Sequence, residues 1–300
     1  MAGLGNIVQA DWKLESRMMG SIEIGGSNHF AWCFIDPEHG GEGFGGDRTS
    51  LGSHLEFREG EMCSIDFYNR SGMPHTIHLH GLDVDQANDG VPATSFEVPG
   101  FGSYKYVFRA PHAGTYHYHC HVDTVLHYAK GMFGTIIVRP ADGSTDRAWD
   151  GGPTFDEEVL WNLATTDTNW NDNLIASGPE AARFNPDGFV INGGETAAAS
   201  ADAMTAIAVQ RGQKVYLRLV QSSYQWARVS LNGLPFEVVA TDGRPMPTPI
   251  QATSWELGPG ERYDILFTPN TAGTFRPMVE YLDDYTSRVI GSVKTKLVVS

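Results

Sequence analysis

The segment Thr115–Met132 reads TYHYHCHVDTVLHYAKGM and places imidazole, thiolate and thioether donors close together in the chain. Upstream, the segment Pro74–Gly81 reads PHTIHLHG and adds further histidines. Two imidazoles and a thiolate, with a weak thioether, are the ligand set of blue-copper sites. We therefore predict one such site, formed by His75, Cys120, His127 and Met132.

Alternation along the two segments predicts a second metal site. If both segments are β-strands, successive side chains point to opposite faces of the sheet. His75 and Cys120 then share one face, and the opposite face carries His78, His80, His119 and His121. The two sites would lie back to back, joined through the His-Cys-His backbone. The alternative, incidental histidines on a β-sheet surface, suits a single histidine better than this joint pattern.

Length, composition and charge favour a large, mostly β protein. The chain has 300 residues, which by the usual domain size is enough for two domains. Its 34 glycines and the scarcity of runs with helical period predict an all-β fold with many turns. The formal charge of -15 argues against nucleic acid and against an anionic membrane as partners. No apolar run approaches the roughly 20 residues that a membrane-spanning helix needs.

The three cysteines do not form a disulfide framework, because their number is small and odd. We interpret Cys33 and Cys63 as buried thiols that act as small apolar side chains. A bridge between them is possible if the protein is exported. The N-terminus lacks the basic and apolar pattern of a signal peptide. The sequence therefore leaves open whether the protein stays in the cytoplasm or loses a leader on export.

Turn-rich composition divides the chain into two halves. From residue 21 onward, short strands such as 63–68, 104–109 and 115–120 alternate with Gly-rich turns, a spacing typical of β-sandwiches. The segment around Asp11–Arg17 is expected to be an arm or a short helix, and 37–47 a flexible Gly-rich loop. We predict an N-terminal domain at 1–140 that carries the copper ligands, a polar linker at 141–158 and a C-terminal domain at 159–300.

An internal repeat indicates that one sandwich is duplicated. Residues 59–82 match 211–234 without a gap, and 104–116 match 263–275. Two unrelated β domains with similar turns would explain these matches less well. When the two repeats are aligned, the histidines of the first half correspond to other residue types in the second half. Because no histidine follows His127, the second domain alone cannot form either predicted site.

At this point the motifs resemble those of the multicopper oxidase family, which is built of cupredoxin domains. The resemblance rests on H-x-x-H-x-H-G at 75–81 and on His-Cys-His at 119–121 followed by His127 and Met132. Asp242-Gly243 and LGPGERYD at 257–264 are similar to further pieces of such a domain. The resemblance is to two-domain, laccase-like members of this family and to the related copper nitrite reductases. The resemblance implies two tandem cupredoxin-like Greek-key β-sandwich domains.

The resemblance also implies roles for the donor residues and a mode of assembly. The first ligand set would hold type 1 copper. His78, His80, His119 and His121 would be the first domain's half of a type 2/type 3 copper cluster, with the Cys120 sulfur as electron path between the sites. Two-domain members are typically homotrimers, in which the first domain of one subunit faces the second domain of its neighbour across a catalytic copper site.

The chain departs from the family pattern in two places. The loop from Cys120 to His127 is longer than the usual oxidase spacing, although shorter than that of nitrite reductases. The second domain also lacks every imidazole that the usual oxygen-reducing cluster would take from it. The opposite wall of the second site would instead offer Asn232, Met278, Glu280 or Asp283 of a neighbouring subunit. Glu280 replaces a ligand histidine and is a candidate metal ligand or acid/base; the alternative is an interface carboxylate left after ligand loss.

Several other polar residues near the motifs receive supporting or structural roles. We expect His117 to support the second site, and His29, His54 and His112 to lie on the surface. Asp83, Asp85 and Asp123 are candidate acceptors that would orient ligand imidazoles.

The sequence thus favours a copper-dependent oxidoreductase. Type 1 copper would accept single electrons from a donor, such as a redox protein, and pass them to a second copper site where O2 or a nitrogen oxide reacts. The alternative is a blue-copper electron-transfer or copper-binding protein whose second site is vestigial. A third interpretation is a trimer that keeps its metals for stability. No serine or cysteine nucleophile signature supports a hydrolase, since Cys120 is better explained as a copper thiolate.

Overall fold

The chain is described by a computed structural model that covers residues 4–5, 7–39, 52–173 and 183–300. The strands of the first half are β1 (Asp11–Ile24), β2 (Ser27–Ile35), β3 (Leu55–Arg58), β4 (Met62–Tyr68), β5 (His78–His80), β6 (Ser103–Arg109), β7 (Gly114–His119) and β8 (Phe133–Arg139). Its helices are α1 (Gln86–Asp89) and α2 (Thr124–Ala129). The predicted loop at 37–47 lies outside the described residues from position 40 onward.

The second half is also built mainly of strands. These are β9 (Glu157–Thr166), β10 (Gly188–Ile191), β11 (Ile207–Val209), β12 (Val215–Gln221), β13 (Trp226–Ser230), β14 (Phe236–Thr241), β15 (Arg244–Ala252), β16 (Ser254–Leu257), β17 (Arg262–Phe267), β18 (Gly273–Phe275), β19 (Met278–Leu282), β20 (Val289–Lys294) and β21 (Leu297–Val299). The helices are α3 (Thr168–Asp172) and α4 (Thr196–Ala201). The prediction of an all-β fold is confirmed.

The first-half strands form two facing sheets. One has the order β2-β1-β4-β6 and the other β3-β8-β7-β5. In the second half, β10-β9-β12-β17-β14-β15 form the largest sheet, with β16-β13-β19-β20 and β11-β21-β18 beside it. The described helices are short, and none of them is long and apolar enough to cross a membrane.

The segment Asp11–Arg17, expected to be an arm or a short helix, is part of β1, so that expectation was wrong. Trp12 and Leu14 are buried, whereas Asp11 and Lys13 are exposed. This alternation has the two-residue period of a strand with one face in the core. β1 runs parallel to β4 and antiparallel to β2, and both neighbours supply its backbone partners.

Each half has its own hydrophobic core. The first core lies between the two sheets of the first half and includes Cys120 and Met132. The second is centred on Trp161, Leu217 and Ile265. The division at 141–158 remains our proposal, supported by the two cores. Trp170 of the second half also packs in the first core, and Ile137 packs with Leu160 and Val220 across the boundary. Cys33 and Cys63 are both buried free thiols, so they form no bridge with each other.

The repeat seen in the sequence has matching backbone conformations. Gly60 and its counterpart Gly212 have φ angles of 81° and 84°, and Gly81 and Gly233 have φ angles of 87° and 85°. Glycine enters this left-handed region without the steric penalty of a Cβ atom. The same turns thus recur at equivalent points of both halves.

A buried chain of charged side chains joins the two domains. Arg139 of β8 donates to Glu56 of β3 at 2.6 and 2.9 Å and to Glu158 of β9 at 2.7 Å. Arg218 of β12 donates to the other oxygen of Glu158 at 2.7 Å and to the Thr115 hydroxyl of β7 at 2.7 Å. Buried charges are tolerated when each is paired and hydrogen-bonded in this way. The network fixes β7 and β8 of the first domain against the largest sheet of the second.

Candidate metal centre

The short helix α2 returns the chain to Cys120 after β7 has ended. The turn begins at Asp123, whose φ is 42°. The His127 amide then donates to the Asp123 carbonyl at 3.0 Å, and the Met132 amide donates to the His127 carbonyl at 3.1 Å. Finally, the Cys120 amide donates to the Met132 carbonyl at 2.9 Å. The long loop noted in the sequence is therefore a helical turn that closes on itself.

Three predicted ligands of the blue-copper site meet in the first core. The Cys120 sulfur lies 3.2 Å from Nδ1 of His127 and 3.5 Å from Nδ1 of His75. The two imidazole ring centroids are 4.6 Å apart. Their donor atoms and the sulfur all lie within 4.8 Å of one another. Met132 is fully buried in the same core, and its carbonyl accepts the hydrogen bond from the Cys120 amide.

Burial sets the protonation state of these three side chains in the metal-free protein. It lowers the pKa of His75 to about 3 and that of His127 to about 4, so both imidazoles are neutral and can offer lone pairs at neutral pH. Burial also raises the pKa of the Cys120 thiol to about 12. A bound cation would reverse this by stabilising the thiolate. The Nε2 atom of His75 is buried without a hydrogen-bond partner among the described residues. This soft, dry donor set fits copper.

A second donor cluster lies on the opposite face of β7. Nδ1 of His78 donates to the Asp89 carbonyl at 2.8 Å, and Nδ1 of His119 donates to the Cys120 carbonyl at 2.9 Å. These bonds place the free lone pair of each ring on Nε2, as in many metal-binding histidines. Nδ1 of His80 lies 3.3 Å from Nε2 of His119. One donor atom from each of these three histidines lies within 4.8 Å of the other two.

His121 lies next to this trio but outside the group within 4.8 Å. Its ring centroid is 5.2 Å from that of His78 and 5.7 Å from that of His119. Its Nδ1 atom is 3.4 Å from the Thr124 hydroxyl. The structure thus brings the four predicted histidines to one face, three of them in a tight group.

Burial also keeps the second cluster neutral. It lowers the pKa of His80 to about 4, with a further contribution from the positive charge of Arg262. His119 is more deeply buried, and burial lowers its pKa well below the usual range. His78 shifts in the same direction, mainly through burial, although hydrogen bonding to Asp89 opposes the shift.

His117 and His54 have structural partners on both ring nitrogens. Nδ1 of His117 donates to the Gly134 carbonyl at 2.9 Å, and its Nε2 accepts from the Tyr128 hydroxyl at 3.1 Å. His54 was expected on the surface, and that expectation was wrong. It is buried, with Nδ1 2.8 Å from the Thr135 hydroxyl and Nε2 3.1 Å from Glu56. Its position in the charged network between the domains explains this burial.

The second domain of the same chain approaches the second cluster at His80. A Cβ atom added to Gly260 would lie 3.0 Å from Cε1 of His80. The neighbouring Arg262 is buried and lies against Gly81. Its guanidinium donates to the Gly260 carbonyl at 2.5 Å and lies 3.1 Å from the Asp242 carboxylate. The second domain therefore brings a positive charge, not an imidazole, to this side of the cluster.

Glu280 belongs to neither donor cluster of its own chain. It lies on β19, half-buried, with Oε2 3.3 Å from a guanidinium nitrogen of Arg228. Arg228 also pairs with Glu256 at 2.8 Å. Asn232 accepts a hydrogen bond from the Arg276 amide at 2.8 Å. Neither Glu280 nor Asn232 is in the three-histidine group of its own chain. A role at that metal is therefore expected only from a second copy of the chain.

Three residues that support the donor sets were not identified from the sequence. The backbone carbonyl of Asp89 accepts a hydrogen bond from His78 and so orients its ring. Asp83, which we predicted for such a role, instead accepts from Arg244 at 2.6 Å. Trp32 packs edge-on against His127, with ring centroids 5.4 Å apart. Lys130, which lies between the predicted ligands His127 and Met132 in the sequence, is buried. Only its position in the loop could have drawn attention to it, because an isolated lysine is normally exposed.

The fold and the donor sets together define a protein of two cupredoxin-like β-sandwich domains, with both candidate metal sites in the first. A structure of a blue copper oxidase from Nitrosomonas europaea superposes with a TM-score of 0.76 at 23% identity, covering 96% of this chain and 85% of that one. Another multicopper oxidase structure, mgLAC, gives a TM-score of 0.75 at 22% identity, covering 97% and 86% of the two chains. At these identities the likeness establishes the fold. The predicted cupredoxin-like class is confirmed.

Sequence comparison places both halves in one family. Residues 34–143 and residues 159–298 each match multicopper oxidase domains. The chain belongs to the multicopper oxidase family, whose cofactor is copper. The resemblance noted in the sequence is confirmed.

Named relatives cover the chain to different extents. A multicopper oxidase of Mycobacterium tuberculosis, MmcO, is 29% identical over 254 residues, which is 77% of this chain and 48% of that protein. A copper-containing nitrite reductase of Neisseria meningitidis is 36% identical over 95 residues, 31% of this chain and 24% of that protein. The chain thus spans from about a quarter to about half the length of these relatives.

Proposed function

We propose that the chain is a copper-dependent oxidoreductase with two functionally coupled copper sites. The observation that carries this proposal is the shared His119-Cys120-His121 segment. Its sulfur belongs to one donor cluster, and the imidazole of His119 belongs to the other. Copper held at both clusters would supply one-electron redox chemistry. Membership of the multicopper oxidase family supports the same class of activity.

In this proposal, His75, Cys120, His127 and Met132 hold the type 1 copper. Complete burial of His75 and Cys120 excludes water and keeps the ligand geometry rigid. The imidazole of His119, in the second cluster, donates a hydrogen bond to the backbone carbonyl of Cys120, whose sulfur is in the first cluster. The two clusters are therefore connected through one residue. Electrons would therefore pass from the sulfur to the second cluster without leaving the protein interior.

His78, His80, His119 and His121 hold the second copper site, where a small molecule would react. His78, His80 and His121 are only partly buried, so a small molecule can reach this face. O2 and nitrogen oxides are the candidate acceptors. A redox protein or a small molecule would supply the electrons, and the formal charge of -15 suits a basic protein donor.

We further propose that the active form is a homotrimer, as the resemblance implies. The second domain of a neighbour would then cover the open side of the second cluster. Glu280 of that neighbour is the candidate ligand or acid/base on the covering surface. A half-buried carboxylate already paired with one arginine can exchange that partner for a metal at modest cost.

The second candidate function is electron transfer by the type 1 site alone. One observation favours it: every histidine lies at or before His127, so the second domain offers no imidazole to a shared cluster. A vestigial second site would leave the three-histidine group without a metal.

Copper content and EPR of the oxidised, copper-loaded protein test these functions. Two or more coppers per chain, with a type 2 signal beside the narrow type 1 signal, are expected for the oxidoreductase. A single type 1 copper would favour the electron carrier. A protein that binds no copper after loading, while remaining folded, would refute both.

A further inference from the structure

The Lys130 side chain is buried inside the loop that closes the predicted type 1 site. It lies between His127 and Met132 in sequence, and none of its surface is exposed. Its ammonium donates to backbone carbonyls of the second domain: Trp170 at 2.5 Å, Asn171 at 3.2 Å and Asn173 at 3.0 Å. A loop of the first domain is therefore anchored on the second.

The receiving carbonyls lie at the C-terminal end of helix α3. The last carbonyls of a helix have no partner within the helix, and they need donors when they are buried. The Lys130 ammonium supplies these donors. The carbonyl oxygens carry no net charge, so they solvate the ammonium without cancelling its charge. Asp172, in the same helix, accepts from the Phe30 amide at 3.1 Å and lies 2.8 Å from Nδ1 of His29. Its carboxylate also attracts the ammonium, although it is not one of the hydrogen-bond acceptors of Lys130.

Trp32 connects Lys130 to the ligand His127. The ammonium lies 5.0 Å from the centre of the Trp32 ring. The Trp32 amide donates to the Lys130 carbonyl at 2.8 Å, and the indole ring packs edge-on against His127. The loop backbone, the indole ring and the His127 imidazole therefore pack together. The hydrogen bonds from Lys130 to α3 attach this group to the second domain.

We infer that Lys130 is a positioning residue for the type 1 site, acting through the loop and Trp32. It fixes the ligand loop against the second domain, and its buried positive charge favours the reduced, less positive state of the metal. Unit charges interact strongly in a medium of low dielectric constant, so the reduction potential is raised. This inference rests on the proposed type 1 site. It gives the second domain a function at that site although it supplies no ligand.

The test compares four variants of the full chain, each loaded with copper. Lys130→Met removes the charge and the hydrogen bonds, Lys130→Gln keeps a donor without the charge, and Lys130→Arg keeps the charge. Lys105→Met, an exposed lysine paired with Asp66, is the matched control. The measurements are the reduction potential, the visible spectrum and the thermal unfolding of the metal-free protein.

We expect Lys130→Met to lower the ratio of Cu(I) to Cu(II) affinity about tenfold, a fall of about 59 mV in potential, and to shift the visible band. Lys130→Gln should also lower the potential, but with a smaller change in the visible band than Lys130→Met. Lys130→Arg should retain much of the wild-type potential. Lys105→Met should match the wild type. A folded Lys130→Met or Lys130→Gln with wild-type potential and spectrum would overturn the inference.

A variant in the second domain provides a test that leaves Lys130 intact. Asp167 accepts hydrogen bonds from the Trp170 amide at 3.1 Å and from the Asn185 amide at 2.8 Å, and so begins α3. Asp167→Ala should loosen the anchor and shift the visible band in the same direction as Lys130→Met. An unchanged band would count against coupling through α3. A wild-type protein without type 1 absorption would refute the proposed function itself, which separates that failure from failure of this inference.

Discussion

Gly81 and Arg262 are in contact across the boundary between the two domains. The φ angle of Gly81 is 87°, and a Cβ atom at this position would overlap Nη2 of the Arg262 guanidinium. Gly81 directly follows His80, whose pKa is lowered in part by that same guanidinium. The absence of one side chain therefore allows the second domain to bring a buried charge next to the second histidine cluster.

Replacing Gly81 with alanine should disturb both folding and metal binding. The left-handed backbone conformation alone costs about 1–2 kcal/mol for a residue with a Cβ atom. Displacement of the buried Arg262 adds to this, and it should move His80. Gly60→Ala is the matched control, because its φ is 81° and nothing lies within 4 Å of the added atom. Denaturant unfolding and copper content would check the prediction; equal effects of both variants would contradict it.

Cys120→Ser should abolish the intense visible absorption of the copper-loaded protein, because the band requires a thiolate ligand. The serine is nearly isosteric, so the fold should persist in this fully buried position. Visible absorption and circular dichroism would be measured together. Cys63→Ser, at another buried free thiol, controls for loss of a core sulfur. Retention of the blue colour in Cys120→Ser would exclude the type 1 assignment.

His78→Ala combined with His80→Ala should remove the second metal and leave the blue colour intact. These two rings supply two of the three clustered donors on that face, whereas Cys120, His75 and His127 are untouched. Elemental analysis and EPR would follow copper per chain. His112→Ala, at an exposed histidine outside both clusters, is the control. If the double variant kept the wild-type copper content, the second cluster would not be a metal site.

Arg139→Met should destabilise the protein strongly by removing the guanidinium that pairs with the buried Glu56 carboxylate. Loss of one partner from a buried ion pair typically costs about 3–5 kcal/mol. Although burial opposes ionisation of Glu56, hydrogen bonds from His54 and Arg139 hold its pKa at about 2, so the carboxylate remains charged. Arg228→Met, at a more exposed pair, should cost about 0–1 kcal/mol. Denaturant midpoints of both variants would be compared, and similar losses would contradict the prediction.

The metal-free protein should become less stable as the pH falls from about 7.5 to about 5. Burial lowers the folded-state pKa of His75 to about 3 and those of His80 and His127 to about 4, against an ordinary value of 6.5. In this range the unfolded chain gains protons that the folded protein does not, so the free energy of unfolding falls with falling pH. Full protonation of one such unfolded histidine amounts to about 2 kcal/mol over this range. A denaturant midpoint that stayed constant or rose would contradict these pKa shifts.

Much of the fold and of the donor sets could be predicted because the relevant patterns are local. Two-residue alternation indicated the strands, and it also placed His78 and His119 on one face. The helical turn Thr124–Ala129 was not predicted, since six residues are too few to reveal a helical period. His54 was misplaced on the surface, because its partners Thr135 and Glu56 come together only in the folded protein.

The residue types and their order are enough to identify the atoms that can bind metal and the half of the chain that carries them. Ligand chemistry belongs to residue types, and alternation along a strand depends only on neighbouring residues. Tertiary structure decided what surrounds those atoms: the buried ammonium of Lys130 behind one site and the guanidinium of Arg262 beside the other. The physical reason is that both charges act through space and through partners from the other domain. Their effects depend on distances and burial that exist only once the two sandwiches have packed together.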